Sequence, residues 1–196
     1  MKTLIVYGTR YGATAKTADE IANVLRDKDI EVKIANAKEE KIKDISEYDL
    51  IIVGSGIKTF RWTKEPKSFL KKFRNKLRQK EVALFVCAGT WPLVAEGGPL
   101  NDNEDDSSNP LSKEKSFKRF LENVAKEFNL APVSMGLFGG IWDFDAIKGL
   151  WGKIMGGMRK DLESRGIDTT LPYDNRDIDA IRDWADSLVV EVIESM

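Results

Sequence analysis

Five short apolar segments alternate with helical patterns along this chain of 196 residues, and this alternation restricts the fold more than any other feature. Between the segments, apolar residues recur three and four positions apart, as at Ala18, Ile21, Ala22 and Leu25. Strands that alternate with amphipathic helices are typical of a parallel sheet covered by helices on both faces. The pattern predicts an α/β fold with about five helices and with strands at 3–8, 31–35, 50–54, 82–88 and 133–138.

Length and charge exclude several classes of protein. A chain of 196 residues suits one domain, 1–196, with a single core. Its 31 Lys and Arg residues nearly balance its 32 Asp and Glu residues, so no overall field attracts nucleic acid or an anionic membrane. The first apolar segment is too short for a signal peptide, and no run of eighteen apolar residues occurs. We predict a cytoplasmic protein without stable membrane insertion or nucleic-acid binding.

The residue types needed for common catalytic sites are missing. The chain has no histidine, which excludes Ser-His-Asp and Cys-His catalysis and the common zinc enzyme sites. Its one cysteine, Cys87, cannot form an internal disulfide or hold an iron–sulfur cluster alone. We therefore assign no catalytic residue and no metal ligand, and expect a bound organic cofactor to supply the chemistry.

The loop that follows the first strand has the composition of a phosphate-binding site. It combines two glycines with two threonine hydroxyls directly before a helix, whose N-terminal amides attract anions. It lacks the Gly-Lys-Ser/Thr ending of a nucleotide triphosphatase and the Gly-x-Gly-x-x-Gly of a dinucleotide site. The loop therefore suits a monophosphate, and the predicted binding residues are Thr9, Arg10, Tyr11, Gly12, Ala13 and Thr14.

This loop resembles the first loop of the flavodoxin family, which has the pattern Thr/Ser-x-x-Gly-x-Thr and binds the phosphate of flavin mononucleotide (FMN). The resemblance implies a doubly wound, five-stranded parallel sheet with strand order 2-1-3-4-5. It also implies that the loops after strands three and four flank the flavin ring. By position these loops supply Ser55, Gly56, Ile57, Lys58, Thr59 and Phe60, and Ala88, Gly89, Thr90 and Trp91.

Aromatic and basic residues in these loops affect the predicted ring site. We expect the ring to stack on Trp91 and on either Phe60 or Trp62. Members of the family often carry acidic residues beside the ring, whereas this chain has Lys58 and Arg61 there. Such cations favour an anionic reduced flavin and raise its reduction potential.

Three functions follow from the resemblance. The first is that of a flavodoxin, a low-potential carrier that moves electrons on one non-covalent FMN between redox proteins, such as ferredoxin-dependent donors and acceptors. The second is an FMN-dependent oxidoreductase, because the chain is also similar to menaquinone-dependent protoporphyrinogen oxidase in the loops at 9–14 and 54–58 and in its late segment. A flavin-dependent quinone or metal reductase of the same fold is a variant of the second, and the third is an interaction module that has lost the flavin. We favour the carrier.

Three segments extend or modify the minimal pattern. Segment 97–110 is an acidic loop, expected to be solvated or to act as a lid or docking surface. Segment 64–80 is rich in Lys and Arg and forms either a solvated helix face or a docking site for an acidic partner. Segment 141–165 is an aromatic and methionine-rich helical segment interrupted by four glycines. It packs on its own core or on another molecule, and we predict a homodimer through 141–160.

Overall fold

A computed structural model describes residues 1–95, 97–101, 109–147 and 149–195. The acidic residues Asp102, Glu104, Asp105 and Asp106 of the predicted loop lie outside the described residues, as does the side chain of Trp151.

The five predicted parallel strands form one sheet in the predicted order. They are β1 (Lys2–Gly8), β2 (Glu31–Asn36), β3 (Leu50–Lys58), β5 (Glu81–Cys87) and β6 (Ser134–Phe138). Their spatial order is β2-β1-β3-β5-β6, and all four pairings are parallel. The doubly wound α/β fold is thereby confirmed.

One strand is longer than the sequence predicted. The prediction ended the third strand at residue 54, but β3 continues to Lys58. The cause is the short strand β4 (Arg61–Trp62), which pairs antiparallel with the end of β3, with Ile57 opposite Trp62. Residues 55–58, predicted as loop, therefore belong to an extended hairpin.

Helices cover both faces of the sheet. On one face α1 (Ala13–Arg26) and α7 (Ile178–Ser195) pack over Ile5, Ile52 and Phe85. The other face, which includes Leu4 and Val53, is covered by α2 and by a helical segment at 113–128. The helices of that face are α2 (Lys64–Leu77), α4 (Lys113–Phe117), a π-helix (Lys118–Glu122) and α5 (Asn123–Phe128).

A smaller third cluster lies at the carboxyl edge of the sheet. It contains Leu93 from α3 (Trp91–Val94), Phe144, and Leu162 from α6 (Gly149–Ser164). A two-stranded ribbon, β7 (Ile141–Trp142) with β8 (Tyr173–Asp174), borders it.

This packing bears on the late aromatic segment. Phe144 and Ile147 are each only 9% exposed, so these two residues of the segment pack within the protein's own fold and are not available to another molecule. The homodimer itself stays a prediction.

In the ranges that the structure describes, no helix has the length and apolar character needed to cross a bilayer.

Candidate functional site

The loops that follow β1, β3 and β5 meet at the carboxyl edge of the sheet and enclose a cleft. Parallel α/β sheets bind ligands at this edge, where the strand order reverses. Of the predicted binding residues, the following line the cleft: Thr9, Arg10, Tyr11, Ala13, Thr14, Gly56, Ile57, Lys58, Thr59, Phe60, Ala88, Gly89, Thr90 and Trp91. The structure thus brings the three predicted loops together around one space.

The two remaining predicted residues, Gly12 and Ser55, shape the loops instead of lining the cleft. Gly12 has a φ of 88°, which glycine adopts without steric cost, and its N–H donates to the Thr9 hydroxyl over 3.0 Å. The Ser55 hydroxyl accepts the Thr63 N–H over 2.9 Å and lies 2.9 Å from the Gly56 carbonyl. Gly12 therefore directs the chain into α1, and Ser55 ties the end of β3 to the start of α2.

The N-terminus of α1 has unmet hydrogen-bonding capacity. Gly12 provides no side-chain cap, and the first turn carries no acidic residue. The first amides of a helix have no partners within the helix, and the helix dipole adds partial positive charge. The Thr14 hydroxyl in this turn is buried and forms no hydrogen bond with any described residue.

The glycine at 56 keeps access to Thr14 open. A Cβ atom at Gly56 would lie 3.1 Å from the Thr14 Oγ1 and 3.7 Å from the Gly8 carbonyl oxygen. The helix terminus, the unpartnered hydroxyl and the space at Gly56 together fit an anionic group such as a phosphate.

The hairpin turn at Thr59 and Phe60 holds both residues at positive φ, 48° and 60°. Positive φ at both central positions is a requirement of type I′ turns, which usually contain Asn and Gly because other residues are strained there. The Phe60 side chain is 51% exposed at the cleft, and the Arg119 guanidinium lies 5.2 Å from its ring centroid. Strain of this kind is common at functional sites.

The structure separates the two alternatives for the second stacking residue. Trp62 is 6% exposed, and its indole N–H donates to the Phe120 carbonyl over 2.6 Å. Because Phe120 belongs to the π-helix, this bond joins the hairpin to that helix. Trp62 is therefore a core residue, whereas Phe60 and Trp91 face the cleft.

The loop after β5 is fixed by residues far away in the sequence. The Gly89 carbonyl accepts hydrogen bonds from the Trp142 indole over 3.0 Å and from the Asn175 amide over 2.7 Å. Asn175 also accepts the Gly140 N–H over 2.7 Å. A Cβ atom at Gly89 would lie 2.8 Å from the Trp142 Nε1, so the close approach of these segments requires glycine.

A buried polar cluster lies below the cleft. Arg176, whose side chain is 6% exposed, donates to the Asp174 carboxylate over 2.7 Å. The Arg176 Nη1 lies 3.4 Å from the Thr17 hydroxyl. The Cys87 thiol, which lines the cleft, also lies 3.4 Å from that hydroxyl. Burial raises the pKa of the Cys87 thiol to about 11, which the nearby hydroxyls and Arg176 only partly oppose. The thiol is therefore neutral near pH 7.

The Asp174 carboxyl is ionised in this cluster. Burial alone would raise its pKa, but hydrogen bonds from the Arg176 side chain and backbone hold the pKa of Asp174 below its ordinary value. The buried guanidinium therefore has a charged partner, which a buried cation needs.

The cleft is electrostatically one-sided. Arg10 and Lys58 line it, and no carboxylate does so in the part of the chain that the structure describes. The Arg10 guanidinium lies over the Tyr11 ring, 5.0 Å from its centroid. The cleft is positive although the whole chain has a formal charge of −1.

Sequence reasoning missed one wall of the cleft. Helical spacing marked several of its apolar residues for packing, but periodicity does not distinguish a residue that faces the core from one that faces a ligand. No sequence motif or periodicity indicated that Asn175 would bond to the loop after β5. The missed lining residues are Thr63, Leu111, Ser116, Phe120, Gly140, Ile141, Trp142, Ile147, Met155 and Met158, together with Cys87.

Known proteins show both the same fold and a partial sequence match. A model of the Flavodoxin domain matches residues 4–155. The protoporphyrinogen IX dehydrogenase (quinone) of Escherichia coli strain K12 is 28% identical over 85 residues, which are 43% of this chain and 47% of that protein. The match thus spans about half the length of this curated relative.

Two solved flavodoxin structures are similar over nearly their whole length. A short-chain flavodoxin associated with a PDU bacterial microcompartment has a TM-score of 0.57 and 11% identity, with 98% of this chain and 99% of that one covered. A flavodoxin of Streptococcus pneumonia TIGR4 has a TM-score of 0.53 and 14% identity, with 97% and 99% covered. At these identities the likeness concerns the fold.

Proposed function

The chain belongs to the Flavodoxin domain family, and from this premise we propose that its cleft binds one FMN without a covalent bond and that the protein carries electrons between redox proteins. The observation that carries the proposal is the buried hydroxyl of Thr14, which has no hydrogen-bond partner among the described residues and lies at the N-terminus of α1, where Gly12 provides no side-chain cap. A phosphate there would accept from this hydroxyl and from the first amides of the helix.

Each loop has a distinct part in the proposed complex. Thr9 and Gly12 hold the phosphate loop in shape, and Thr14 donates to the phosphate. Phe60 and Trp91 supply planar faces for the ring, and the glycines at 56 and 89 let the backbone approach it. When bound, FMN supplies the electron-accepting and electron-donating chemistry that the side chains lack.

Lys58 and Arg61 tune the proposed cofactor site. Lys58 lines the cleft, and Arg61 is its cross-strand neighbour in the hairpin. Positive charge near the ring stabilises added negative charge, so these residues raise the reduction potential of the flavin. Tyr11 and Phe60, 40% and 51% exposed, border the cleft and give a redox partner an accessible contact surface.

A second candidate is an FMN-dependent oxidoreductase with a quinone or a porphyrinogen as substrate. The observation that favours it is the apolar wall of Leu111, Phe120, Ile147, Met155 and Met158, which extends the cleft beyond the three flavin loops. Such a wall suits a flat apolar substrate beside the ring. The partial match to the Escherichia coli dehydrogenase agrees with this candidate.

An anaerobic reductive titration of the FMN-loaded protein, followed by absorption, tests the proposal. Two separate one-electron steps are expected for a carrier. A single two-electron step, together with turnover of porphyrinogen or quinone, would replace the carrier by the oxidoreductase. Failure of the purified protein to bind added FMN would contradict both and leave an interaction module.

A further inference from the structure

We propose that the cations around the cleft form a docking surface for an acidic redox protein. This inference rests on the proposed electron-carrier function. The surface, called the cationic rim below, consists of Arg10, Lys58, Arg61, Lys113 and Arg119. Its occupant would be a protein that presents carboxylates around its own redox centre.

Four of the five rim cations line the cleft or lie over a ring that lines it, and the β3–β4 hairpin places Arg61 beside them. Arg10 and Lys58 line the cleft, and Arg61 pairs with Lys58 across the hairpin. The Lys113 ammonium lies 5.9 Å from the ring centroid of Trp91, and the Arg119 guanidinium lies 5.2 Å from that of Phe60. The rings of Trp91 and Phe60 both line the cleft. The rim cations therefore come from three separate segments of the chain, the loop after β1, the β3–β4 hairpin and the helical segment at 113–128, which meet at one opening.

None of the five rim cations forms an ion pair with a carboxylate among the described residues. The hairpin turn from Lys58 to Arg61 contains no acidic residue, nor does the loop from Thr9 to Gly12. On the helical segment that carries Lys113 and Arg119, Glu114 is exposed, and Glu122 lies 3.7 Å from Lys126. The described cleft lining includes no acidic side chain. A local positive field thus exists on a chain with a net charge of −1, and such a field orients an acidic partner.

The arrangement fits a protein better than a lipid surface. Membrane-binding cations usually cluster on one helix face or one flexible segment, next to apolar residues that enter the lipid. Here the cations are spread around a concave opening, and the exposed rings of Tyr11 and Phe60 stand among them. Separated charges around aromatic contacts are typical of a specific protein interface.

The test reverses two rim charges whose own side chains do not line the cleft. The variant Lys113→Glu/Arg119→Glu changes two exposed side chains on the helical segment beside the cleft. The matched control, Lys43→Glu/Arg78→Glu, changes two exposed cations at the opposite edge of the sheet, where Lys76 at the end of α2 pairs with Asp44. The measurement is the binding of the FMN-loaded protein to an immobilised acidic [2Fe–2S] ferredoxin at about 50 mM and at about 500 mM salt. The Debye length is severalfold shorter at the higher concentration, so the attraction between exposed charges is screened there.

We expect the rim variant to bind ferredoxin about tenfold more weakly than the unmodified protein at low salt, and the difference to shrink at high salt. The control should change affinity less than about twofold, because its charges lie far from the interface. Basic cytochrome c should bind more weakly than ferredoxin to the unmodified protein. Retained FMN fluorescence quenching in both variants shows that the cofactor site is intact.

Several results would overturn the docking surface. These are equal weakening in the rim and control variants, ferredoxin binding that does not depend on salt, or cytochrome c binding as tightly as ferredoxin. Salt-sensitive binding of phosphatidylglycerol vesicles that the rim variant loses, without any ferredoxin binding, would assign the rim to a membrane. Failure to bind FMN would instead contradict the proposed function, and the same ferredoxin series on the flavin-free protein would still decide whether the rim binds an acidic protein.

Discussion

At the scale of single residues, Thr14 has the most specific expected effect. A buried hydroxyl without a partner costs about 1–3 kcal/mol, and a hydrogen bond to a charged acceptor contributes about 1.5–3 kcal/mol. Thr14→Val keeps the side-chain shape and removes the hydroxyl. We therefore expect the flavin-free variant to be at least as stable as the unmodified protein but to bind FMN roughly ten to a hundred times more weakly. Urea unfolding and flavin fluorescence quenching measure the two effects.

Thr3 provides the matched control. Its hydroxyl is also buried without a partner among the described residues, but it lies in β1 near the amino edge of the sheet. Thr3→Val should leave FMN affinity unchanged. Equal FMN affinity in Thr14→Val and the unmodified protein would show that the phosphate does not contact Thr14.

The limits of sequence reasoning are also visible at single residues. The spacing of glycines and threonines was enough to predict that the loop after β1 lines the cleft, because the loop is local in the chain; that it binds phosphate stays a prediction. It could not decide between Phe60 and Trp62, because the bond that buries the Trp62 indole goes to Phe120, 58 residues away. Asn175 was missed for the same reason, since its partner Gly89 lies 86 residues away.

At the scale of elements, the β3–β4 hairpin combines strain with exposure. Two non-glycine residues at positive φ cost about 1–2 kcal/mol each, and the exposed Phe60 ring buries too little surface to offset this. We expect Phe60→Gly to be about 1 kcal/mol more stable to urea than Phe60→Leu, because only glycine relieves the strain. Both variants should bind FMN more weakly, since both lose the ring.

This comparison separates backbone from side chain. Equal stability of the two variants would contradict strain at this turn. Unchanged FMN affinity in both would remove Phe60 from the ring site, while leaving the strain argument intact.

The ribbon that contains β8 depends on the pairing of Asp174 with Arg176. Asp174→Asn leaves the guanidinium, 6% exposed, without its charged partner. Loss of one partner in a fully buried pair costs about 3–5 kcal/mol, and we expect about 2 kcal/mol here because the Asp174 side chain is 38% exposed. The control Asp186→Asn removes an exposed partner of Lys28 and should change unfolding little.

The same pair predicts a pH dependence with a definite sign. The folded pKa of Asp174 is lowered from 3.8, so its contribution to stability is complete above pH 3.8 and is lost as the pH falls through the folded pKa. The difference in unfolding free energy between the unmodified protein and Asp174→Asn should therefore close below pH 3.8. A difference that stays constant in acid would mean that the carboxylate charge is not what stabilises Arg176.

Elements with a clear period were predictable, whereas short or irregular ones were not. Short apolar runs in the sequence marked the five long strands, and apolar residues three and four positions apart marked the helices that cover them. The strands of the β7–β8 ribbon have two residues each, which is too short for any alternation. The π-helix has no sequence pattern of its own, because it arises where the backbone adjusts to local packing.

At the scale of the whole molecule, the segment after residue 140 completes the cleft. Its residues Trp142 and Asn175 hold the loop after β5, while Phe144 and Leu162 pack on Leu93. The Flavodoxin domain match ends at residue 155, before Asn175. We infer that the cleft and the late segment unfold together, because each stabilises the other.

That coupling makes the melting temperature a measure of cofactor binding. A ligand that binds only the folded state adds about 2.7 kcal/mol at a free concentration of a hundred times its dissociation constant, which is roughly 5–10 °C for a chain of this size. We expect FMN to raise the melting temperature by this amount. Riboflavin, which has the same ring but no phosphate, should raise it less at the same concentration, since it cannot use the N-terminus of α1 or the Thr14 hydroxyl.

The variant Thr14→Val links this result to the residue scale. If the phosphate contacts this hydroxyl, the advantage of FMN over riboflavin shrinks in the variant, while riboflavin itself acts as before. Equal stabilisation by both flavins in the unmodified protein would show that the loop after β1 does not bind phosphate. No stabilisation by either would contradict a flavin site in this cleft, even though the fold is that of a flavin-binding family.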